Sequence, residues 1–241
     1  MNRNQINLLW TGGWDSTFTL LYSVIIKNIS VQPYYLMDHK RESTGHELRA
    51  MADIITEFRI KYPQLQHLIK PMIYKSDLDV IENNEINEWH RLYVKYYNIG
   101  SQYKFIALWA EELHTALMYT WEKPITGYLP VDQPLITQLT DNGQFASLKK
   151  NPEPFYLRLF QKAEFYFLEM NKLEMGSFAQ KHGFYDLLLK TWFCHFPKLN
   201  YPCGICDPCA IVISNNLKFR MPKISLLRYY VHQIFKKSYH Q

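Results

Sequence analysis

This sequence predicts an α/β fold built on a doubly wound parallel sheet, and three observations predict it. Strand-like and helix-like segments alternate over roughly the first 75 residues. A glycine pair, Gly12-Gly13, joins the first of those strands to the first helix. The 241 residues are 47% hydrophobic and 20% charged, which gives enough apolar matter for one sizeable core and too little charge for a disordered chain.

The elements follow in order. Residues 5–10 read as a short buried strand. Residues 15–26 read as a helix with Phe18, Leu21, Tyr22 and Ile25 on one face. A second strand covers 31–37, a second helix 47–60 and a third strand 68–74. Residues 88–97 carry no clear pattern. A single helix is expected over 104–121, because Phe105, Leu108, Trp109, Leu113, Ala116 and Leu117 recur at helical spacing. Residues 124–128 read as a short strand and 129–153 as loop. Helices are expected over 153–175 and, past Gly176, over 177–191, with a basic amphipathic helix over 224–236. On this reading residues 1–150 form an α/β domain and 151–241 a helical C-terminal region.

Charge is unevenly spread. The net charge is +5, yet no Asp or Glu follows Asp207, and Lys218, Arg220, Lys223, Arg228, Lys236 and Lys237 lie beyond it. The body is therefore close to neutral and the tail basic. Such a tail reads as a solvated helix packed on the body, or as a surface for an anionic partner. No run of about 18 apolar residues is present, so no membrane-spanning helix is expected. The apolar run at 6–10 is too short for a secretory signal, and a cytoplasmic location is expected.

The loop Thr11-Gly12-Gly13-Trp14-Asp15-Ser16-Thr17 stands between a predicted strand and a predicted helix. Glycines let backbone approach an anion closely, and the N-terminus of the helix behind them offers free N–H groups and a positive dipole end. Ser16 and Thr17 can each donate a hydroxyl to a phosphate oxygen. Asp15 would cap the helix, or hold a Mg²⁺ that bridges to phosphates. No Gly-Lys-Ser/Thr follows, so this is not the Walker pattern, and the three spaced glycines of a dinucleotide site are missing as well.

All four cysteines fall between positions 194 and 209: Cys194, Cys203, Cys206 and Cys209. Four thiolates satisfy a tetrahedral Zn²⁺ and leave no open position, which describes a structural site. An iron–sulfur cluster is the rival, since Cys-x-x-Cys-x-x-Cys occurs there too. His195 lies beside Cys194 and is read as a neighbour, not a ligand.

The glycine loop resembles the Ser-Gly-Gly-x-Asp-Ser motif of the PP-loop ATPases, with Thr11 in place of Ser. Together with Thr191-Trp192-Phe193-Cys194 and Cys203-Gly204-Ile205-Cys206-Asp207-Pro208-Cys209, the chain resembles the 7-cyano-7-deazaguanine synthase family, the QueC-like enzymes. That resemblance spans about residues 5–210, specific at its ends and loose in the middle. It implies an adenine nucleotide alpha hydrolase-like fold with a zinc-binding appendage, with ATP, Mg²⁺ and Zn²⁺ as cofactors. It also implies adenylation of a 7-deazaguanine carboxylate, amidation by ammonia and dehydration to the nitrile. Asp15 and Ser16 would then be catalytic, and Thr11, Gly12, Gly13 and Thr17 would bind nucleotide.

The middle departs from the family. Ser101 and Gln102 stand where its turn carries Arg and Asn, and the stretch from Gly127 to Pro134 replaces its pocket segment. Arg41, Gln102 and Asp132 are the substrate candidates left. These departures keep two alternatives open: a QueC-like ligase that conjugates the activated acid to a protein or other macromolecular amine, docked on the basic tail, and a non-catalytic nucleotide- and zinc-binding module. A homodimer is the remaining partner reading.

Overall fold

The computed structural model describes residues 4–97, 100–121, 133–141, 145–167 and 170–238. The expected strand at 124–128 and the candidate Asp132 lie outside them.

A seven-stranded, mostly parallel sheet runs in the order β3-β2-β1-β4-β7-β6-β5. Its strands are β1 (Gln5–Leu9), β2 (Ser30–Met37), β3 (Ile73–Ser76), β4 (Leu117–Trp121), β5 (Leu139–Asp141), β6 (Ala146–Leu148) and β7 (Ala163–Phe167). β3, β2, β1, β4 and β7 pair in parallel, whereas β6 and β5 extend the β7 side antiparallel. β7 is a strand of this same sheet although it lies past residue 150.

Side chains alternate across the central strands, as a period of two requires. Ile6 and Leu8 of β1 and Val31 and Tyr35 of β2 pack with α1 (Trp14–Leu21), α2 (Thr44–Lys61), α6 (Lys172–Lys181) and α7 (Tyr185–Leu189). Leu9, Tyr34 and Leu36 face the other way, toward Trp109 and Ala110 of α4 (Gln102–Glu112). A further cluster joins α4 to α3 (Asn84–Tyr96) through Ile86, Trp89, Tyr93 and Leu108. Helices thus cover both faces, as the doubly wound expectation required.

Several expectations are corrected. The helix expected over 104–121 is two elements: α4 ends at Glu112, His114 takes a left-handed backbone (φ 49°), and the apolar run that follows is β4. The helix expected over 153–175 is a 3₁₀ turn, Phe155–Phe160, and then β7. The aromatic run at 165–167 fits a half-buried strand better than a helix: Phe165 goes to one cluster and Tyr166 to the opposite one. Gly176 does not break the chain. It sits inside α6, where an added Cβ would make ordinary contact with the Tyr185 and Trp14 rings at 3.4 and 3.5 Å. The break falls at Gly183 (φ 78°), between α6 and α7. The third strand begins later than expected, at Ile73: Leu68 still belongs to a 3₁₀ turn (Pro63–Leu68), and Ile69 makes only an isolated bridge to Val31. The presumed loop at 129–153 contains α5 (Gln133–Ile136), β5 and β6. Residues left without a pattern form α3, capped by the Asn83 side chain on the N–H groups of Glu85 and Ile86.

Past the sheet, the cysteine segment leads into α8 (Asp207–Ser214) and α9 (Lys223–Ser238). Among the described residues no helix is long and apolar enough to cross a membrane.

Candidate functional site

The 11–17 loop leaves the C-terminal end of β1 and enters α1. Gly12 has φ 69°, and a Cβ there would lie 2.9 Å from Met51 Cγ and 3.2 Å from the Glu47 carbonyl of α2. Glycine is therefore required both by dihedral and by space. Gly13 is extended (φ −78°) and is the N-cap of α1. The first turn of α1 has no side-chain cap, so its N–H groups are left to face an anion.

The loop's side chains divide into inward and outward sets. Trp10 is fully buried and its Nε1 donates to Thr17 Oγ1 at 2.9 Å, so Thr17, itself fully buried, is turned into the core. Thr11 and Ser16 keep their hydroxyl oxygens 3.5 Å apart, and the Thr11 N–H points at Ser16 Oγ. Asp15 does not cap the helix. Its two carboxylate oxygens each accept from Lys172 Nζ at 2.7 Å.

Lys172 and Arg220 escaped the sequence reading. Lys172 opens α6, whose capping box is built from Asn171 and Glu174. That Asn-x-x-Glu spacing was the available signal, obscured by the helix expected to run through it. Arg220 lies 4.6 Å over the Trp14 ring and 5.0 Å over the Phe193 ring, and donates to the Thr191 carbonyl at 2.7 Å. Burial pushes its guanidinium down to about 10 against the opposing pull of Asp15. Two cations thus act on one carboxylate beside the N-terminus of α1, Lys172 in direct contact and Arg220 at longer range, so that among these three groups positive charge exceeds negative.

Arg41 and Gln102, distant in sequence, meet: Arg41 Nη2 donates to Gln102 Oε1 at 2.9 Å. Both line a small cleft of about 50 Å³, open to solvent, together with Thr11, Asp38 and Asp77 and with the apolar side chains of Leu9, Tyr34, Leu36, Phe105 and Ile106. Arg41 also stands 3.8 Å from Glu47, a buried carboxylate held by Ser43 Oγ (2.6 Å) and by the Tyr35 hydroxyl (2.8 Å). Asp77 is buried and accepts from the His39 N–H and its Nδ1. Asp38 and Asp77 thus put two carboxylates on the cleft lining, beside the one cation there, Arg41. A flat ring that carries N–H donors suits it.

The four cysteine sulfurs come together, all within 4.8 Å of one another. Cys206 Sγ is 3.4 Å from that of Cys209 and 3.9 Å from that of Cys194, and Cys203 lies 3.9 Å from Cys209. Metal–sulfur bonds of about 2.3 Å in a tetrahedron place sulfurs about 3.8 Å apart, so this set can hold a metal ion. Backbone N–H groups of Cys203, Gly204, Ile205 and Cys206 point at these sulfurs, which is how thiolate charge is offset without a counter-ion. Contacts among these crowded thiols hold Cys206 well below the ordinary thiol range and push Cys194 and Cys209 above it. His195 stays outside the set, as expected.

The cysteine segment also touches the loop. Trp192 N–H donates to the Gly12 carbonyl at 3.0 Å, and the Trp192 ring stacks on His46 of α2 at 4.4 Å. Neither a model of a known protein family nor any curated protein matches this chain. Functional inference therefore rests on the residues just described.

Proposed function

We propose that the protein is an ATP-dependent carbon–nitrogen ligase of the PP-loop type that adenylates a 7-deazaguanine carboxylate and carries it through the amide to the 7-cyano product. The observation that carries this reading is the 11–17 loop: a left-handed Gly12, an uncapped N-terminus of α1, and the cations Lys172 and Arg220 set around Asp15. Such a surplus of donors and positive charge suits a triphosphate that is cut at its α-phosphorus.

The chemistry runs in two activations. The substrate carboxylate attacks the α-phosphorus, pyrophosphate leaves, and ammonia displaces AMP from the acyl carbon to give the amide. The amide oxygen then attacks the α-phosphorus of a second ATP, pyrophosphate leaves again, and loss of AMP and the two amide protons leaves the nitrile. Each activation turns a poor oxygen leaving group into AMP. Ser16 and Thr11 would bind phosphate oxygens. Asp15 would hold a Mg²⁺, which would offset phosphate charge, with Lys172 beside it as a cationic donor toward the phosphates. The cleft beside Thr11 would take the purine-like ring, with its N–H edge toward Asp38 and Asp77 and with Arg41 and Gln102 at its rim. Zn²⁺ in the four-thiolate set would hold Trp192 against Gly12 and so fix the loop's outer wall.

The test is mass spectrometry of 7-carboxy-7-deazaguanine incubated with the protein, ATP and Mg²⁺, with and without ammonia. The reading expects a product that has lost two oxygens and a hydrogen and gained a nitrogen, with pyrophosphate release that Asp15→Ala abolishes. Intact substrate with no pyrophosphate would sink it. Pyrophosphate release without nitrile would point instead to another amine as acceptor.

A further inference from the structure

Asp15 is already paired with a cation of the chain itself. Lys172 Nζ lies 2.7 Å from each of its carboxylate oxygens, and so fills the fork between them. The lysine side chain is only 11% exposed and the aspartate 33%. A partly exposed carboxylate beside a phosphate site has the chemistry of a Mg²⁺ ligand. Here its two oxygens are engaged by an ammonium, and the pair together carries no net charge. A divalent ion gains little from such a pair, since it must also shed water to reach it.

The surroundings add positive charge. Arg220 attracts Asp15 from longer range. The first turn of α1 carries no side-chain cap and contributes the positive end of the helix, about half a unit charge. A free cation that approaches Asp15 therefore meets two like charges and a helix N-terminus. A polyphosphate meets the same three groups as attractions. Charge thus favours the anion first and the metal ion second.

Of the two cations, Lys172 is the one placed to change partner. Arg220 is fixed: it lies over the Trp14 and Phe193 rings, and its Nη2 donates to the Thr191 carbonyl at 2.7 Å and to the Thr191 hydroxyl at 2.6 Å. Lys172 opens α6 and reaches Asp15 on a flexible four-carbon stem, as a point charge that no planar fork constrains. Its ammonium stands beside the first turn of α1, where phosphate oxygens would be drawn, so it can pass from carboxylate to phosphate by turning its side chain.

We infer that Lys172 and Asp15 form a gate that sets the order of binding. The ion pair keeps free divalent ions off Asp15, and a polyphosphate that draws the ammonium to its own oxygens releases the carboxylate for Mg²⁺. This rests on the reading of the 11–17 loop as a nucleotide site with Asp15 as its metal ligand, and is independent of which acid is activated.

The probe is Mn²⁺, followed by electron paramagnetic resonance on the full chain. Other carboxylates can hold this ion, so the quantity read is the binding that Asp15→Asn removes. Without nucleotide the native chain should show none. Lys172→Met, checked for folding by its melting curve, should gain it, with affinity raised about tenfold or more by loss of the competing charge. A second measurement needs no lysine variant. The analogue α,β-methylene ATP, which cannot be cut at its α-phosphorus, should bind the native chain with no divalent ion added. With the analogue present, the native chain should hold Mn²⁺ about tenfold more tightly than Asp15→Asn does. Asp15-dependent Mn²⁺ binding by the native chain without nucleotide overturns the gate. So does its absence from folded Lys172→Met, or an analogue that binds only once a divalent ion is supplied. The ligase reading fails separately, if ATP and 7-carboxy-7-deazaguanine give no pyrophosphate, and that result leaves these binding measurements standing.

Discussion

Lys172 Nζ sits 2.7 Å from both carboxylate oxygens of Asp15, and so ties the first turn of α6 to the first turn of α1. Lys172 is buried and Asp15 is one-third exposed, so the pair is only partly shielded from water. Replacing the lysine with Met removes the direct partner of Asp15 and leaves it only the longer-range attraction of Arg220. Lys172→Met should lower stability by about 1–3 kcal/mol, less than for a fully buried pair. It should also lower pyrophosphate release by roughly 100-fold, the scale for loss of one donor to developing charge. Urea unfolding and a coupled pyrophosphate assay read the two effects. Near-normal turnover in Lys172→Met would remove the lysine from the chemistry.

Gly12 and Gly204 both have left-handed backbone, and they differ in how hard a side chain would press on its neighbours. At Gly12 an added Cβ meets Met51 Cγ at 2.9 Å and the Glu47 carbonyl at 3.2 Å, on top of the cost of φ 69°, so Gly12→Ala should cost about 1–3 kcal/mol. At Gly204 the obstacle is the Ser225 carbonyl at 2.2 Å, which no rotamer change can move. Gly204→Ala should therefore lift α9 from the cysteine segment. Hydrogen exchange should rise across 224–235 while β1 and β2 stay protected.

The loop and the cysteines were legible because each concentrates its signal within a few residues. Gly12-Gly13 follows a buried strand, and four sulfurs fall within one short stretch. What sequence could not supply was pairing at a distance: Asp15 with Lys172, Arg41 with Gln102, Arg220 with Trp14. Arg41 and Gln102 were picked separately, and only the β2–α2 connection and the start of α4 bring them to one cleft. Two misread helices share a cause. In 117–121 and 163–166, aromatic and aliphatic side chains pack on both sides of the sheet, and a run apolar on both faces carries no period that separates helix from strand.

Metal removal is the third test. Elemental analysis of the purified chain should find one zinc per chain and neither iron nor sulfide. Cys203 is fully buried, so Cys203→Ser places a poor ligand where no water can replace the sulfur. That variant and strong chelation should both lower the melting temperature, and both should loosen Trp192 from Gly12, read as a change in tryptophan fluorescence. Iron with sulfide in stoichiometric amounts would replace zinc with a cluster.

The pH dependence of stability follows from histidines that are buried while neutral. Burial lowers His90 below its ordinary value, with Lys104 adding to the effect and a hydrogen bond with the Gly100 backbone opposing it. Its Nε2 is buried with no hydrogen-bond partner. Burial likewise lowers His46 and His195. Above pH of about 6.5 these rings are neutral in both the folded and unfolded chain and cost nothing. Below it the unfolded chain takes up protons first, so stability falls with pH until the folded rings protonate as well. The urea midpoint should therefore drop between about pH 7 and pH 5, and His90→Leu, which cannot charge, should reduce the slope. If His90→Leu left the slope unchanged, proton uptake at this ring would not contribute to the loss.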